Sequence, residues 1–174
     1  NMLIDDMLNM SRIEAGKLTF DIETFDFKEL VTDVADTFKY TEITHEIIKE
    51  LPAGQIVVKA DRQRLEQVLI NLIGNAIKYS PKKEKIKVSL QIEDDMVTFR
   101  VKDYGIGLTA EQQRQLFSRF YRAESMNNIS GLGLGLYLAK QIIVRHGSDI
   151  QVSSEFGKGS EFYFSLPLIE MTGS

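Results

Sequence analysis

Apolar residues recur every three or four positions in several stretches of the chain, a spacing that places them on one face of a helix. The pattern predicts helices over residues 1–16, 27–38, 62–79, 110–117 and 132–146. Asp26 and Asp61 directly precede the second and third of these helices, where a carboxylate can cap a helix. Ser80 and Pro81 end the third helix, because proline cannot continue it.

Alternation of apolar and polar residues, typical of strands with one buried face, occupies most of the remaining chain. The predicted strands are a short one within residues 17–26, where Leu18, Phe20 and Ile22 alternate, and residues 44–49, 56–59, 84–92, 96–103, 149–155 and 160–167. Two of them flank "EDD" at 93–95 and are expected to form a hairpin. Helices and antiparallel strands in this order indicate an α+β fold, a sandwich in which one sheet is covered on one face by helices.

Composition limits the domain organisation and the classes of function. With 174 residues, 43% of them hydrophobic, the chain can form one compact domain with an appendage. Cysteine is absent, which excludes disulfides and thiolate metal sites. The apolar runs are too short to span a bilayer, and no basic stripe indicates duplex nucleic acid. Residues 1–50 carry 12 acidic and 5 basic side chains, so we expect any anionic ligand to bind within residues 51–174.

The stretch "SGLGLGLYLAK", residues 130–140, places Gly131, Gly133 and Gly135 at the start of a predicted helix. A helix N-terminus offers unpaired N–H groups, and glycines there allow phosphate oxygens to approach the backbone. A flexible hinge before an ordinary helix would use the same residues. This stretch alone leaves both interpretations open.

The long predicted helix carries a polar row beside its apolar stripe. Asn71, Asn75 and Lys78 lie at i, i+4 and i+7, so they share one face. An asparagine carbonyl is a suitable oxygen ligand for Mg²⁺, and lysine can contact phosphate. The alternative is a solvated polar face.

Two polar side chains are directed into the predicted core. Asp103 continues the alternation of Val97, Phe99 and Val101, and Ser160 precedes a similar series on a later strand. A buried carboxylate without a partner is costly, so we expect a donor to meet it. A flat ligand with an exocyclic amine would satisfy both groups. The alternative for "DYGIG" is a structural aspartate that caps a turn.

Together, five motifs resemble the sensor histidine kinase family. Asn71 to Pro81 resembles its N box, and Asp103-x-Gly105-x-Gly107 resembles its first glycine box. "LFSRFYR" at 116–122 is similar to the F box, "GLGLGL" at 131–136 to the second glycine box, and "GKGSEFYFSLP" at 157–167 to the last box.

The resemblance implies the GHKL (Bergerat) fold shared with gyrase-type, chaperone and mismatch-repair ATPases. In that fold a mixed sheet is covered on one face by three helices, and a mobile ATP lid, here residues 108–130, is anchored by Phe117 and Phe120. The implied organisation is a stub of the dimerisation and phosphoacceptor helix (1–16), a linker with the first strand (17–26), the catalytic ATP-binding domain (27–169) and a tail (170–174).

The resemblance also implies roles for individual residues. Asp103 accepts from the adenine amino group, Ser160 supports that contact through water, Tyr79 lies along the nucleotide, and Asn75 is the Mg²⁺ ligand. The implied catalytic residues are Asn71, Asn75, Lys78 and Arg122. The implied ATP-binding residues are Asn71, Asn75, Lys78, Tyr79, Asp103, Gly105, Ile106, Gly107, Arg122, Gly131, Leu132, Gly133, Leu134, Gly135, Leu136 and Ser160. The sequence departs mildly from the family at Ser160, where Thr is commoner, and at Leu132, where Thr or Ser is frequent.

One position distinguishes a kinase from an ATPase. The hydrolysing relatives carry a glutamate that activates water where this chain has Asn71, and an amide cannot accept that proton. The implied function is transfer of the γ-phosphoryl group of Mg-ATP to a histidine outside these residues. Implied partners are the phosphoacceptor helix of its own dimer and a response regulator. The expected setting is the cytoplasmic portion of a membrane-anchored homodimer, with no membrane contact by this fragment. The alternatives are a serine kinase of the anti-sigma type and an inert nucleotide-binding module.

Overall fold

A computed structural model describes residues 2–41, 44–81, 84–122 and 133–170. The helices in these ranges are α1 (Met2–Glu14), α2 (Phe27–Thr41), α3 (Arg62–Lys78), α4 (Ala110–Gln115) and α5 (Gly135–Arg145). The strands are β1 (Glu23–Asp26), β2 (Glu46–Glu50), β3 (Val57–Ala60), β4 (Lys85–Glu93), β5 (Met96–Lys102), β6 (Gln151–Glu155) and β7 (Gly159–Pro167).

The main sheet has five strands in the order β2-β4-β5-β7-β6. Strand β2 is parallel to β4, whereas the other neighbours are antiparallel, so the sheet is mixed. The predicted hairpin is confirmed, because Glu93 pairs with Met96 across its turn. The order brings the end of β5 beside the start of β7, where Asp103 and Ser160 lie.

The core lies between this sheet and helices α2, α3 and α5, which confirms the two-layer α+β sandwich. The apolar stripe of α3 is buried along its whole length, from Leu65 to Ile77. Phe27, Phe99 and Phe164 are among the largest fully buried side chains. With its apolar stripe packed in the core, α3 is left with its polar row beside the far end of β5.

Asp61 caps α3 as predicted, since its side chain accepts a hydrogen bond from the backbone N–H of Arg64 at 2.9 Å. Its second carboxylate oxygen accepts from the N–H of Asp21 at 2.8 Å. One buried carboxylate therefore fixes both the start of α3 and the segment that leads from α1 into the domain.

The short strand predicted within residues 17–26 is confirmed only for the last four of them, and the alternating residues Leu18, Phe20 and Ile22 lie outside it. The strand is β1, slightly later in the chain, and it pairs with β3 in a separate two-stranded sheet that the sequence did not indicate. Side chains hold residues 17–22 instead, through Asp61 and through Arg145, which donates to the carbonyl of Leu18 at 3.3 Å. The alternation correctly indicated that Leu18 is buried. Among the described strands, however, none pairs with residues 17–22.

Several boundaries also differ from the predictions. Helix α5 begins at Gly135 rather than at residue 132, and β2 begins at Glu46, so His45 precedes the strand. Among the described residues, no helix combines the length and apolarity needed to cross a bilayer.

Candidate functional site

A cavity of about 290 Å³ opens between α3, the start of α5 and the ends of β5 and β7. It gathers side chains that are far apart in the sequence. The predicted site residues that line it are Asn71, Asn75, Lys78, Tyr79, Asp103, Ile106, Gly107, Arg122, Gly133, Leu134, Gly135, Leu136 and Ser160. Gly105 lies beside the cavity without lining it, and Gly131 and Leu132 lie outside the described residues.

Asp103 lies at one end of this cavity and is only 4% exposed. Its Oδ1 atom accepts hydrogen bonds from the backbone N–H groups of Gly105 (3.0 Å) and Ser160 (3.3 Å). Within the described part of the chain, no group donates to its Oδ2 atom. The backbone therefore supplies donors to one oxygen of the predicted buried carboxylate. The other oxygen, Oδ2, is left for a ligand.

Burial raises the pKa of Asp103 above its usual value of 3.8, and the two backbone N–H groups oppose part of that rise. A carboxylate held this way is poorly compensated by the fold, because the desolvation effect is the larger one. Such a group is a candidate for a ligand-binding role.

The polar row of α3 faces the cavity as predicted. The side-chain amide of Asn71 donates to the carbonyl of Gln67 at 3.0 Å, which directs its Oδ1 atom toward the start of α5. Asn75 and Lys78 line the same wall. The row therefore presents an amide oxygen and an ammonium group to the space in front of α5.

The start of α5 forms the opposite wall. Leu134 is the N-cap residue, and no side chain of the described residues caps this end of the helix. Unpaired N–H groups and the helix dipole give the first turn a partial positive charge. Near this wall, burial raises the pKa of Tyr79, and the charge of Arg122 partly offsets the rise.

The glycines of the site allow close packing within the chain itself, and their expected role in admitting phosphate oxygens to the backbone stays a prediction. A Cβ on Gly105 would lie 2.0 Å from the carbonyl oxygen of Tyr79, and one on Gly135 would lie 2.5 Å from Oδ1 of Asn71. These contacts bring α3 against both the Asp103 turn and α5. Glycine is thus needed at residue 105 with or without a ligand, whereas at residue 135 the close atom is the end of a side chain.

The predicted lid is only partly described, since residues 123–130 lie outside the described residues. Phe117 anchors its first part, with its ring edge-to-face to Phe162 at 6.3 Å between centroids. The predicted anchoring by Phe120 is wrong, because that side chain is 59% exposed. Its backbone holds this part instead, since the N–H of Phe120 donates to the carbonyl of Gly133 at 3.1 Å.

Several lining residues were missed by the sequence reasoning. Leu108, Leu116, Tyr121 and Phe162 add apolar wall, and Phe162 could have been found by its alternation with Ser160. Helix α1 adds Leu3 and Asp6, which no motif indicates because their position depends on docking of that helix. Burial, aided by the neighbouring charge of Asp5, raises the pKa of Asp6.

The polar and apolar groups that line the cavity suit an adenine nucleotide with a divalent cation. The described residues contain no group of three or more His, Asp or Glu side chains able to hold a metal alone. Mg²⁺ commonly takes one or two protein oxygens and completes its shell with phosphates and water, and Asn75 could supply one such oxygen. The apolar wall and the free oxygen of Asp103 fit a flat base with an amino group.

The mixed sheet, its helical layer and this cavity together define a GHKL-type ATP-binding domain. Residues 60–170 match the sequence model of the Histidine kinase-, DNA gyrase B-, and HSP90-like ATPase family. The chain belongs to this family, and it corresponds to the ATP-binding catalytic domain of sensor histidine kinases.

Individual relatives agree with this assignment. The chain is 34% identical to Sensor histidine kinase WalK of Bacillus subtilis (strain 168) over 97% of its own length and 28% of that protein. The structure resembles that of Acinetobacter baumannii histidine kinase AdeS, with a TM-score of 0.77, 31% identity and coverage of 97% and 78% of the two chains.

The structure of this chain also resembles that of full-length ShkA in complex with AMPPNP, with a TM-score of 0.85 and 26% identity. The match covers 99% of this chain and 36% of the ShkA chain. The chain spans only 28%, 23% and 38% of three of its curated relatives, so it corresponds to one part of such proteins.

Proposed function

We propose that this domain binds Mg-ATP in the cavity and delivers the γ-phosphoryl group to a histidine of a dimerisation helix. The observation that carries the proposal is the buried carboxylate of Asp103. One of its oxygens is held by the backbone, and the other is open to the cavity. The fold itself leaves this charge undercompensated, and an adenine amino group would supply the missing donor.

At the base end, Asp103 accepts from the amino group, and Ser160 supports the contact beside it. Tyr79 and Ile106 line the cavity where a base and ribose would pack. Support for nucleotide binding also comes from the relative ShkA, whose structure was solved with AMPPNP.

At the phosphate end, backbone N–H groups at the start of α5 hold phosphate oxygens, and Lys78 and Arg122 add positive charge. Asn75 is the proposed ligand of Mg²⁺, and Asn71 lies beside it on the same face of α3. When bound, the cation neutralises phosphate charge during transfer. The glycine stretch contributes to this end, with Gly133, Leu134 and Leu136 in the cavity wall.

Transfer is favoured over hydrolysis because the domain supplies no general base from α3. The Asn71 amide cannot take a proton from water, and its own N–H₂ group is engaged by Gln67. Apart from Asp103, the one carboxylate among the described lining residues is Asp6, which belongs to α1.

We assign residues 1–16 to the end of the dimerisation helix, 17–26 to the linker and first strand, 27–169 to the catalytic domain and 170–174 to the tail.

The proposed partners follow from this assignment. They are the phosphoacceptor helix of a dimer and a cognate response regulator, and the proposed setting is the cytoplasmic portion of a membrane-anchored homodimer. The sensor kinase names of the relatives support the first two.

A transfer experiment tests the proposed function. The 174-residue chain is incubated with γ-labelled ATP, Mg²⁺ and a separately produced phosphoacceptor hairpin from a related kinase. We expect acid-labile, base-stable label on the hairpin, and its loss when the acceptor histidine is replaced. Hydroxyl-linked phosphate would indicate a serine kinase of the anti-sigma type instead, and nucleotide binding without any transfer would indicate an inert module.

A further inference from the structure

Ser154 lies on β6 directly opposite Ser160, behind the wall of the cavity and outside its lining. Its Oγ atom is 2.8 Å from Oγ of Ser160 and donates to the carbonyl of Gly159 at 3.0 Å. It also accepts a hydrogen bond from the backbone N–H of Leu108 at 2.8 Å. Three polar groups therefore meet at one hydroxyl that no motif singles out.

The number of protons decides which way the Ser160 hydroxyl points. A carbonyl can only accept, so the single proton of Ser154 goes to Gly159, and Ser160 must donate its own proton to Ser154. If Ser154 donated to Ser160 instead, this bond to Gly159 would be lost. Among the described residues, Ser154 is the one hydrogen-bond partner of the Ser160 hydroxyl, so the Ser160 proton would then be left without a bond in this arrangement. The first arrangement makes one more hydrogen bond, so it is favoured.

With its proton turned toward Ser154, Ser160 presents only lone pairs to the cavity. The neighbouring Oδ2 atom of the Asp103 carboxylate is also an acceptor that receives no hydrogen bond from the described part of the chain. Asp103 and Ser160 both line the cavity, so its base end presents two acceptors. It fits a ligand edge that donates and opposes one that accepts.

We propose that Ser154 is a positioning residue for base selection: it holds the Ser160 proton away from the cavity, so that the site favours an exocyclic amino group over a carbonyl. This inference rests on the proposed ATP site and adds a residue that determines its specificity. An inosine nucleotide carries a carbonyl where adenine carries the amino group. In the intact site that carbonyl faces acceptors. To bind it, Ser160 must turn its proton toward the ligand and give up its hydrogen bond to Ser154.

The test compares affinities of the 174-residue chain for ATP and inosine triphosphate by calorimetry with Mg²⁺. In Ser154→Ala, Ser160 loses its acceptor and is free to donate to the inosine carbonyl. We expect the preference for ATP to fall roughly three- to tenfold, the value of one hydrogen bond. Ser154→Thr keeps the hydroxyl and should restore the preference. Ser153→Ala, on the exposed side of the same strand, should leave it unchanged.

Two further variants separate positioning from a structural role. Ser154→Cys offers only a weak donor, so it should shift the preference in the same direction if the alanine variant is unstable. In a Ser160→Ala background, Ser154→Ala should have no further effect on the preference, because no hydroxyl remains to be turned.

An unchanged preference in folded Ser154→Ala, or an equal loss of affinity for both nucleotides, would overturn the inference. A shift that persists without the Ser160 hydroxyl would overturn it as well. Failure of the intact chain to bind ATP would instead contradict the proposed function, so the two failures are distinguishable.

Discussion

At the scale of single residues, Asp103, which directly follows β5, shows how strand alternation can bury a charged side chain. The alternation that buries Val101 and Phe99 also buries this carboxylate. Within the described ranges, the buried charge is compensated by two backbone N–H groups. The sequence predicted the inward direction correctly because side-chain alternation is purely local. It could not show which donors would meet the carboxylate, because Ser160 reaches it only through pairing between β5 and β7.

Asp103→Asn is expected to flatten part of the pH dependence of stability. The pKa of Asp103 is raised in the folded state, so the folded state holds its proton more tightly than the unfolded chain. This contribution is full below the unfolded value near 3.8 and is lost as the pH rises through the raised value. Denaturant unfolding across that range should show this decline in the original chain and not in the variant. A relative gain in stability of the original chain with rising pH would contradict the account.

Two glycine-to-alanine changes should have opposite effects. Gly105→Ala places a Cβ 2.0 Å from the backbone carbonyl oxygen of Tyr79, so we expect a loss of about 1–3 kcal/mol in the free energy of unfolding. Gly74→Ala places a Cβ within α3 at an ordinary 3.7 Å from Phe38, and we expect a gain of about 0.5–1 kcal/mol. Denaturant unfolding of both variants measures the pair. Equal effects would mean that the close carbonyl of Tyr79 does not set the requirement for glycine at residue 105.

At the scale of elements, α1 is the part of the molecule that its own sequence explains least. Its periodicity predicts a helix, and its exposed apolar residues include Leu3, Ile4 and Met7. Its docking depends on other elements: Met10 packs on Leu134 and Leu138 of α5. Asn9 accepts from Arg64 at 3.1 Å, and Glu14 pairs with Arg119. This docking brings Leu3 and Asp6 to the cavity.

Met10→Ala is expected to loosen α1 without unfolding the catalytic domain. Met10 is 8% exposed, so its truncation removes about 2 kcal/mol of the contact that holds α1 on α5. Amide hydrogen exchange should rise across α1 and stay unchanged in the central strands. Met7→Ala is the matched control, because Met7 is 59% exposed, and it should leave exchange unchanged. Equal exchange in both variants would show that Met10 does not hold the helix.

Elements defined by local spacing were predicted well, whereas those defined by distant partners were not. The α3 helix, its Asp61 cap and the β4–β5 hairpin follow from residues close in sequence, and the structure confirms them. The strand predicted within 17–26 forms only at Glu23–Asp26, because strand formation requires a neighbour, and β1 finds that neighbour in β3. The reason for glycine at residue 105 was also missed, since the close carbonyl belongs to Tyr79 on α3.

At the scale of the whole molecule, the sandwich places the polar row of α3, the start of α5 and the ends of β5 and β7 around one cavity. None of these elements forms a nucleotide site alone. The motifs are spread over more than half of the chain, and the fold brings them together around this cavity, in agreement with the family assignment.

Calorimetric titration with Mg-ATP at neutral pH tests the central claim that the Asp103 carboxylate binds the adenine in this cavity. The original chain should bind, and Asp103→Asn, which turns an acceptor into a donor, should bind at least about tenfold more weakly while its circular dichroism is unchanged. Asp95→Asn, in the exposed β4–β5 turn, is the matched control and should bind as the original does. Unchanged affinity in a folded Asp103→Asn variant would contradict the account.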